Sequence, residues 1–195
     1  MVLHIGVLAL QGAFIEHQHM MEQLGAQTTQ VRLPQHLAGL DGLIMPGGES
    51  TTIGKLATEY GLIEPLKQFA QEKPTWGTCA GLIFLAKDIG INHQPILGLM
   101  DVRVDRNAFG RQIDSFEQDL EFKGLSTDAP YPTVFIRAPI VREVGEGVEI
   151  LAKIDEKTIV AVKQGHLLGT AFHPELTNDL RVHELFLNMV RENHT

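Results

Sequence analysis

At 195 residues, with 44% hydrophobic and 21% charged side chains, the chain has the makeup of one globular domain with a sizeable core and not of a disordered segment. Sixteen Lys and Arg against 24 Asp and Glu leave a formal charge of −8, which argues against a nucleic-acid partner; the short basic cluster of Arg103 and Arg106 does not extend into a stripe. One cysteine excludes an internal disulfide, no apolar run approaches the ~20 residues a bilayer span needs, and Met1-Val2-Leu3-His4-Ile5-Gly6 lacks the charged and apolar regions of a secretory signal. A cytoplasmic location without a membrane role is the expectation.

In chain order, the first half alternates short apolar runs with helical patterns. A strand is predicted over Ile5 to Leu10, a polar helix through His17 to Leu24, a strand over Thr29 to Leu33 and another over Gly42 to Met45. Pro46-Gly47-Gly48-Glu49-Ser50 follows, then a helix around Thr52 to Tyr60 and the extended Pro74 to Gly77. Beyond Cys79, Leu82, Leu85, Ala86 and Ile89 recur at i, i+3, i+4 and i+7, the spacing of one buried helical stripe. From Leu97 onward the chain is strand-rich, with runs at Leu99–Val104, Thr133–Ile136, Val148–Ala152, Thr158–Val162 and Leu167–Phe172. Several of these are expected to pair antiparallel. Asp105 to Tyr131 is the least regular stretch. A last helix is expected from about Asn178, with Val182, Leu185, Phe186, Met189 and Val190 on its buried face. Strand–helix alternation of this kind implies an α/β, three-layer flavodoxin-like sandwich in a single domain over residues 1–195. Its central sheet is mixed, mostly parallel and flanked by helices, with additional antiparallel strands in the second half.

Gly77-Thr78-Cys79-Ala80-Gly81 sets the only cysteine between small residues, after an extended segment and before a helical run. An abrupt strand-to-helix turn pushes such a side chain clear of the backbone, and a helix N-terminus favours a thiolate. Alone, a single cysteine is more often a small buried hydrophobe. Two further motifs at strand ends change that reading: Pro46-Gly47-Gly48-Glu49-Ser50-Thr51, and His173-Pro174-Glu175 after Phe172. His173 has the proton chemistry to serve Cys79 as base and then as acid, and Glu175 the charge to fix the imidazole tautomer. The backbone N–H of Ala80 and that of Gly47 or Gly48 are candidate donors to an oxyanion.

These motifs resemble the class I glutamine amidotransferases, most closely the glutaminase subunits of pyridoxal 5′-phosphate synthases. The resemblance runs from Ile5-Gly6-Val7-Leu8-Ala9-Leu10-Gln11-Gly12 through Leu43–Thr52 and Gly77–Gly81 to Phe172–Leu176. It implies that Cys79 attacks the side-chain amide of L-glutamine, with His173 moving protons and Glu175 orienting it. Ammonia then passes to a partner synthase, which also activates the glutaminase. The implied glutamine contacts are Gly47, Gly48, Glu49, Arg106, Ile136 and Arg137; outside the resemblance, both arginines read as ordinary surface charges. Residues Gln11 and Gly12, with the neighbouring helix, are candidates for the docking face.

Two alternatives remain at this level. One is another cysteine hydrolase on a similar fold, such as a γ-glutamyl hydrolase or small peptidase, although the Pro-Gly-Gly-Glu-Ser-Thr loop argues against it. The other is a non-catalytic module whose glycine loop accepts an anion. No metal site is expected: His17 and His19 lie near Glu16 and Glu22 but point to different faces of a helix, and read as solvated or interface residues. No Walker or dinucleotide motif occurs, so no nucleotide or other cofactor is expected.

Overall fold

A computed structural model describes residues 1–110 and 114–194. In the first half, β1 (His4–Leu8), α1 (Phe14–Gln23), β2 (Gln27–Val31), β3 (Gly42–Met45), α2 (Ser50–Glu59), α3 (Ile63–Glu72), β4 (Thr75–Thr78) and α4 (Ala80–Leu85) follow one another. The second half is β5 (Ala86–Asp88), β6 (Met100–Asp105), β7 (Ser115–Leu120), β8 (Tyr131–Ile136), β9 (Ile140–Val144), β10 (Glu149–Asp155), β11 (Thr158–Gln164), β12 (Leu167–Thr170) and α5 (Arg181–Glu192).

The main sheet runs β2-β1-β3-β4-β12-β11-β9-β6-β5, with β10 also paired to β11; β7 and β8 form a separate antiparallel pair. From β2 to β12 every pairing is parallel, and from β12 through β11 and β9 to β6 every pairing is antiparallel. The expected α/β architecture, with a mostly parallel centre and antiparallel strands in the second half, is therefore the one observed.

Strands β3, β4 and β12 are buried at every position, as strands covered on both faces must be. The alternation along β4 shows which layer lies where. Trp76 points toward α1 and α5, with its ring edge-on to His17 and His183 and 5.6 Å from Phe186. Its indole N–H is satisfied by Thr170 Oγ1 at 3.0 Å on the neighbouring strand. Gly77 points the other way, where the backbone of Gly81 and Leu82 in α4 packs against it. Ile5, Val7, Leu43, Ile44 and Leu168 fill the space between these layers with no residual exposure, each such burial contributing roughly 1.5–3 kcal/mol.

The structure departs from the sequence-predicted elements in several places. The helix after Cys79 stops at Leu85 and is buried on all sides, because Ala86 leaves it to pair with Met100 in β6. Leu82, Leu85, Ala86 and Ile89 are all buried, but they do not share one helical stripe. The last helix starts at Arg181 instead of Asn178, since the Asp179 carboxylate accepts both the backbone N–H and the guanidinium of Arg181 and holds a turn there. Helix α3 and strands β5, β7 and β9 had no counterpart in the sequence reading. The irregular stretch before Tyr131 includes β7, whose Phe116 stacks on Phe135 of β8 at 4.6 Å. Residues 111–113, within that stretch, lie outside the described residues.

Candidate active site

Three adjacent parallel strands end at one edge of the sheet, and each delivers one of the motifs. Strand β3 leads into Gly47 and Gly48, β4 into Cys79, and β12 into His173. Their register, Met45 opposite Gly77 and Thr78 opposite Thr170, sets the three exits side by side.

Cys79 itself is the turn between β4 and α4. Its φ of 50° and ψ of −104° lie in a region that favours glycine, which for a side-chain-bearing residue costs on the order of 1–3 kcal/mol. The conformation is held from both sides: the Cys79 N–H donates to the Thr170 carbonyl at 2.8 Å, and its own carbonyl accepts the Ile83 N–H at 3.2 Å. The side chain is thereby aimed at the cleft while the residue stays 7% exposed.

His173 is anchored by its backbone N–H to the Val134 carbonyl at 2.8 Å, and its side chain hydrogen-bonds Cys79. Its Nδ1 lies 2.6 Å from Glu175 Oε1, so the nitrogen left for the sulfur is Nε2. Burial alone would discharge the imidazole, but Cys79 and Glu175 overcome it and push its pKa up to about 10. Burial opposes charge on Glu175 as well, yet His17 and His173 bring its pKa below the usual carboxylate value.

The sequence reading missed His17. Expected to be solvated or at an interface, it is fully buried, with Nε2 3.4 Å from Glu175 Oε2 and Nδ1 2.8 Å from His183 Nε2. The reason is that α1 turns this face inward onto Trp76 and α5. Burial drives the pKa of both His17 and His183 down to about 3, so both are neutral near pH 7.

Above the sulfur lies an open cleft of about 770 Å³, lined among others by Gly48, Glu49, Ala80, Arg106, Ile136 and Arg137. Cys79 and His173 form part of its lining, as do Phe109 and Asp114, which the sequence reading had not singled out. Arg106 is oriented by Gln94 Oε1 at 2.6 Å, and Arg137 sits at a positive φ with its N–H on the Asp114 carbonyl. Glu49 caps α2: each carboxylate oxygen accepts one backbone N–H and one hydroxyl, from Thr51 and Thr52 respectively. Those bonds bring its pKa down to about 2 and occupy its lone pairs, so a substrate ammonium would have to displace or share one of them.

The glycine loop is tied to the segment after β1. The Gly47 carbonyl accepts the Ala13 N–H at 3.2 Å, and Gln11 Oε1 accepts the Glu49 N–H at 2.7 Å. Because a trans peptide is planar, the Gly48 N–H must then point opposite to the Gly47 carbonyl. Gly47 itself has to be glycine, since a Cβ there would come within 2.6 Å of His173 Cε1. Among the described residues no group of His, Cys, Asp and Glu is arranged to hold a metal ion, and no helix is long and apolar enough to cross a membrane.

A strained cysteine at a strand-to-helix turn, an imidazole and a carboxylate come together at the ends of adjacent strands of an α/β sheet, an arrangement in keeping with the glutamine amidotransferases. The model of the SNO glutamine amidotransferase family matches residues 7–192, and the chain belongs to that family. It is 59% identical over 189 residues to a pyridoxal 5′-phosphate synthase subunit PdxT of Herpetosiphon aurantiacus, covering 95% of this chain and 99% of the relative. To the subunit of the same name from Moorella thermoacetica it is 56% identical, over 96% and 100% of the two chains. A solved structure described as a glutamine amidotransferase superposes with a TM-score of 0.90 at 51% identity, covering 96% of this chain and 98% of that one.

Two outcomes follow from the local geometry. Cys79→Gly, which removes the steric conflict at positive φ, is expected to be more stable toward urea than Cys79→Ala by about 1 kcal/mol; the reverse order would show that the turn is unstrained. Gly47→Ala is expected to retain its fold by circular dichroism but lose roughly a hundredfold or more of its glutamine hydrolysis, because the new methyl displaces the imidazole.

Proposed function

We propose that this chain is the glutaminase subunit of a pyridoxal 5′-phosphate synthase, a single domain over residues 1–195 that works in the cytoplasm. It hydrolyses L-glutamine to L-glutamate and ammonia and passes the ammonia to a synthase partner. The observation that carries the reading is Cys79 and His173 together on the floor of the cleft, with Glu175 buried behind the imidazole, in a chain of the glutamine amidotransferase family. Relatives named as subunits of that synthase, matched along nearly their whole length, support the partner.

The proton shared by Cys79 and His173 sits on the imidazole, whose proton affinity is raised, as the sulfur attacks the side-chain amide carbon of glutamine. The oxygen of that amide becomes an oxyanion, received by the N–H of Ala80 and an N–H of the Gly47-Gly48 loop. His173 next returns its proton to the amide nitrogen, the C–N bond breaks and ammonia leaves. Water, deprotonated by the same imidazole, cleaves the γ-glutamyl thioester to glutamate and regenerates the thiol. Throughout, Glu175 keeps the imidazole in the orientation that presents Nε2 to sulfur.

Selection of a free amino acid fits the rest of the cleft. Arg106 and Arg137 suit its α-carboxylate, the Ile136 segment its flank, and the acidic rim of Glu49 and Asp114 its ammonium. The ties from Gln11 and Ala13 to the glycine loop give a docking partner a handle on the oxyanion donor, which accounts for activation by the synthase.

The test uses the assembled complex. Glutamine hydrolysis by the wild-type chain should rise substantially when the synthase is added. Cys79→Ala should still bind the synthase and abolish glutamine-dependent product formation, while ammonium salts still support it. Equal hydrolysis with and without the synthase would remove the activation step, and glutamine turnover by Cys79→Ala would remove the thioester route.

A further inference from the structure

We propose that His17 is a positioning residue of the glutaminase site. It donates its Nε2 proton to Glu175 Oε2 and accepts at Nδ1 from His183, so that hydrogen bonds from α5 through His17 on one side and from His173 on the other converge on the Glu175 carboxylate. The proposal rests on the glutaminase reading above.

Glu175 presents one oxygen to each of two imidazoles. Oε1 is held by His173 at 2.6 Å; among the described residues Oε2 is buried without a hydrogen-bond partner, and the nearest polar hydrogen carrier it faces is His17 Nε2 at 3.4 Å. A neutral imidazole carries a single N–H, and only one arrangement of protons suits the surroundings. If His17 were protonated on Nδ1, its Nε2 lone pair would face an anionic oxygen. His183 would then accept at Nε2 and bury an unpaired N–H at Nδ1, which has no partner. With the proton on Nε2, His17 donates toward Glu175 and toward the Thr78 hydroxyl, also at 3.4 Å, and His183 donates from Nε2 to His17 Nδ1. The atom then left bare, His183 Nδ1, is an acceptor, and a buried acceptor without a partner is tolerated better than a buried donor.

Among the described residues, the groups packed around this chain of hydrogen bonds leave it no other charge partner of that reach. His17 faces His183 on α5, Thr78 and Trp76 on β4, and Glu175 and His173 beyond β12. Glu175 faces His173, His17 and, from β8, Tyr131. Since His17 is neutral, it supports the carboxylate through a directed N–H instead of a full positive charge. Two donors, one per oxygen, then fix the plane of the carboxylate and with it the His173 ring.

The experiment compares two amides of different reach in complex with the synthase. The amide nitrogen of His17→Gln extends to where Nε2 sits, and that of His17→Asn only to where Nδ1 sits. His17→Gln is expected to keep kcat within about threefold, while His17→Asn loses roughly ten- to hundredfold in kcat with KM little changed. In His17→Asn the acid limb of the kcat profile should also move to higher pH, because a carboxylate that loses a donor protonates more readily. Equal kcat in the two variants, or an unmoved acid limb in His17→Asn, would overturn the proposal. Imidazole ¹⁵N resonances of the wild-type chain test it without any substitution. His17 should carry its proton on Nε2 and stay neutral from about pH 5 to pH 9; a proton on Nδ1, or a titration within that range, would overturn it. A wild-type complex that hydrolyses no glutamine would instead refute the glutaminase reading, with the tautomer still deciding the case of His17.

Discussion

The in-register parallel pairing of β3, β4 and β12 is the constraint on which the site depends. Cys79 and His173 are 94 positions apart in sequence terms comparable to the Trp76–Thr170 hydrogen bond that joins their strands, and no local preference could bring them together. Backbone ladders do so, and they act twice. They set the exits of the three strands abreast, and the Thr170 carbonyl at the end of β12, continuing the ladder past β4, takes the Cys79 N–H and holds the strained turn. A slip of one residue would turn Trp76 away from α1 and α5 and carry the nucleophile to the wrong face. The apolar filling on both sides of these strands makes such a slip prohibitively costly.

Behind the reacting atoms the core becomes polar in one place. Glu175, His17 and His183 are buried in a layer otherwise built from Trp76, Phe186 and aliphatic side chains. An ionised carboxylate in such surroundings is expensive unless its oxygens find donors. Here the two imidazoles play different parts. On the proposed mechanism His173 shares its proton with the sulfur and carries charge during turnover, whereas burial pushes the His17 pKa down to about 3 and leaves it neutral near pH 7. On that reading the carboxylate has one partner whose charge changes and one whose charge does not, and it remains ionised while His173 cycles.

Much of this was legible in the sequence wherever the information is local. Gly42–Met45 reads as a strand because four residues that are buried in the fold lie between Asp41 and Pro46, and the structure agrees residue for residue. Cys79, the glycine pair and His173-Pro174-Glu175 are visible because strand-to-helix turns and their glycines leave short, dense motifs. Helix α3 was not visible, since it buries only Leu66 and Ala70 along a polar surface. Strand β7 buries only Leu120, and its pairing with β8 is settled by aromatic contacts such as Phe116 on Phe135. His17 was misread for a different reason. Helical spacing correctly separates it from His19, but its real partner, His183, is 166 residues away and belongs to no motif.

The division of labour within the sheet follows from the same geometry. The proposed reacting groups sit where parallel strands are buried on both faces, so strain at Cys79 and tight contact at Gly47 are held by surroundings that cannot relax. The proposed substrate contacts come mainly from the antiparallel half and its connections: Arg106 after β6, and Ile136 and Arg137 at the end of β8, all of which line the cleft. Phe109 joins the two sets, lining the cleft while packing on Phe116 and Phe135, and Phe135 in turn packs on Phe172, the residue before His173. An aromatic contact path thus leads from this wall of the cleft to the residue preceding His173. A rearrangement of that wall has a physical route to the imidazole without any change in the strands that carry the nucleophile.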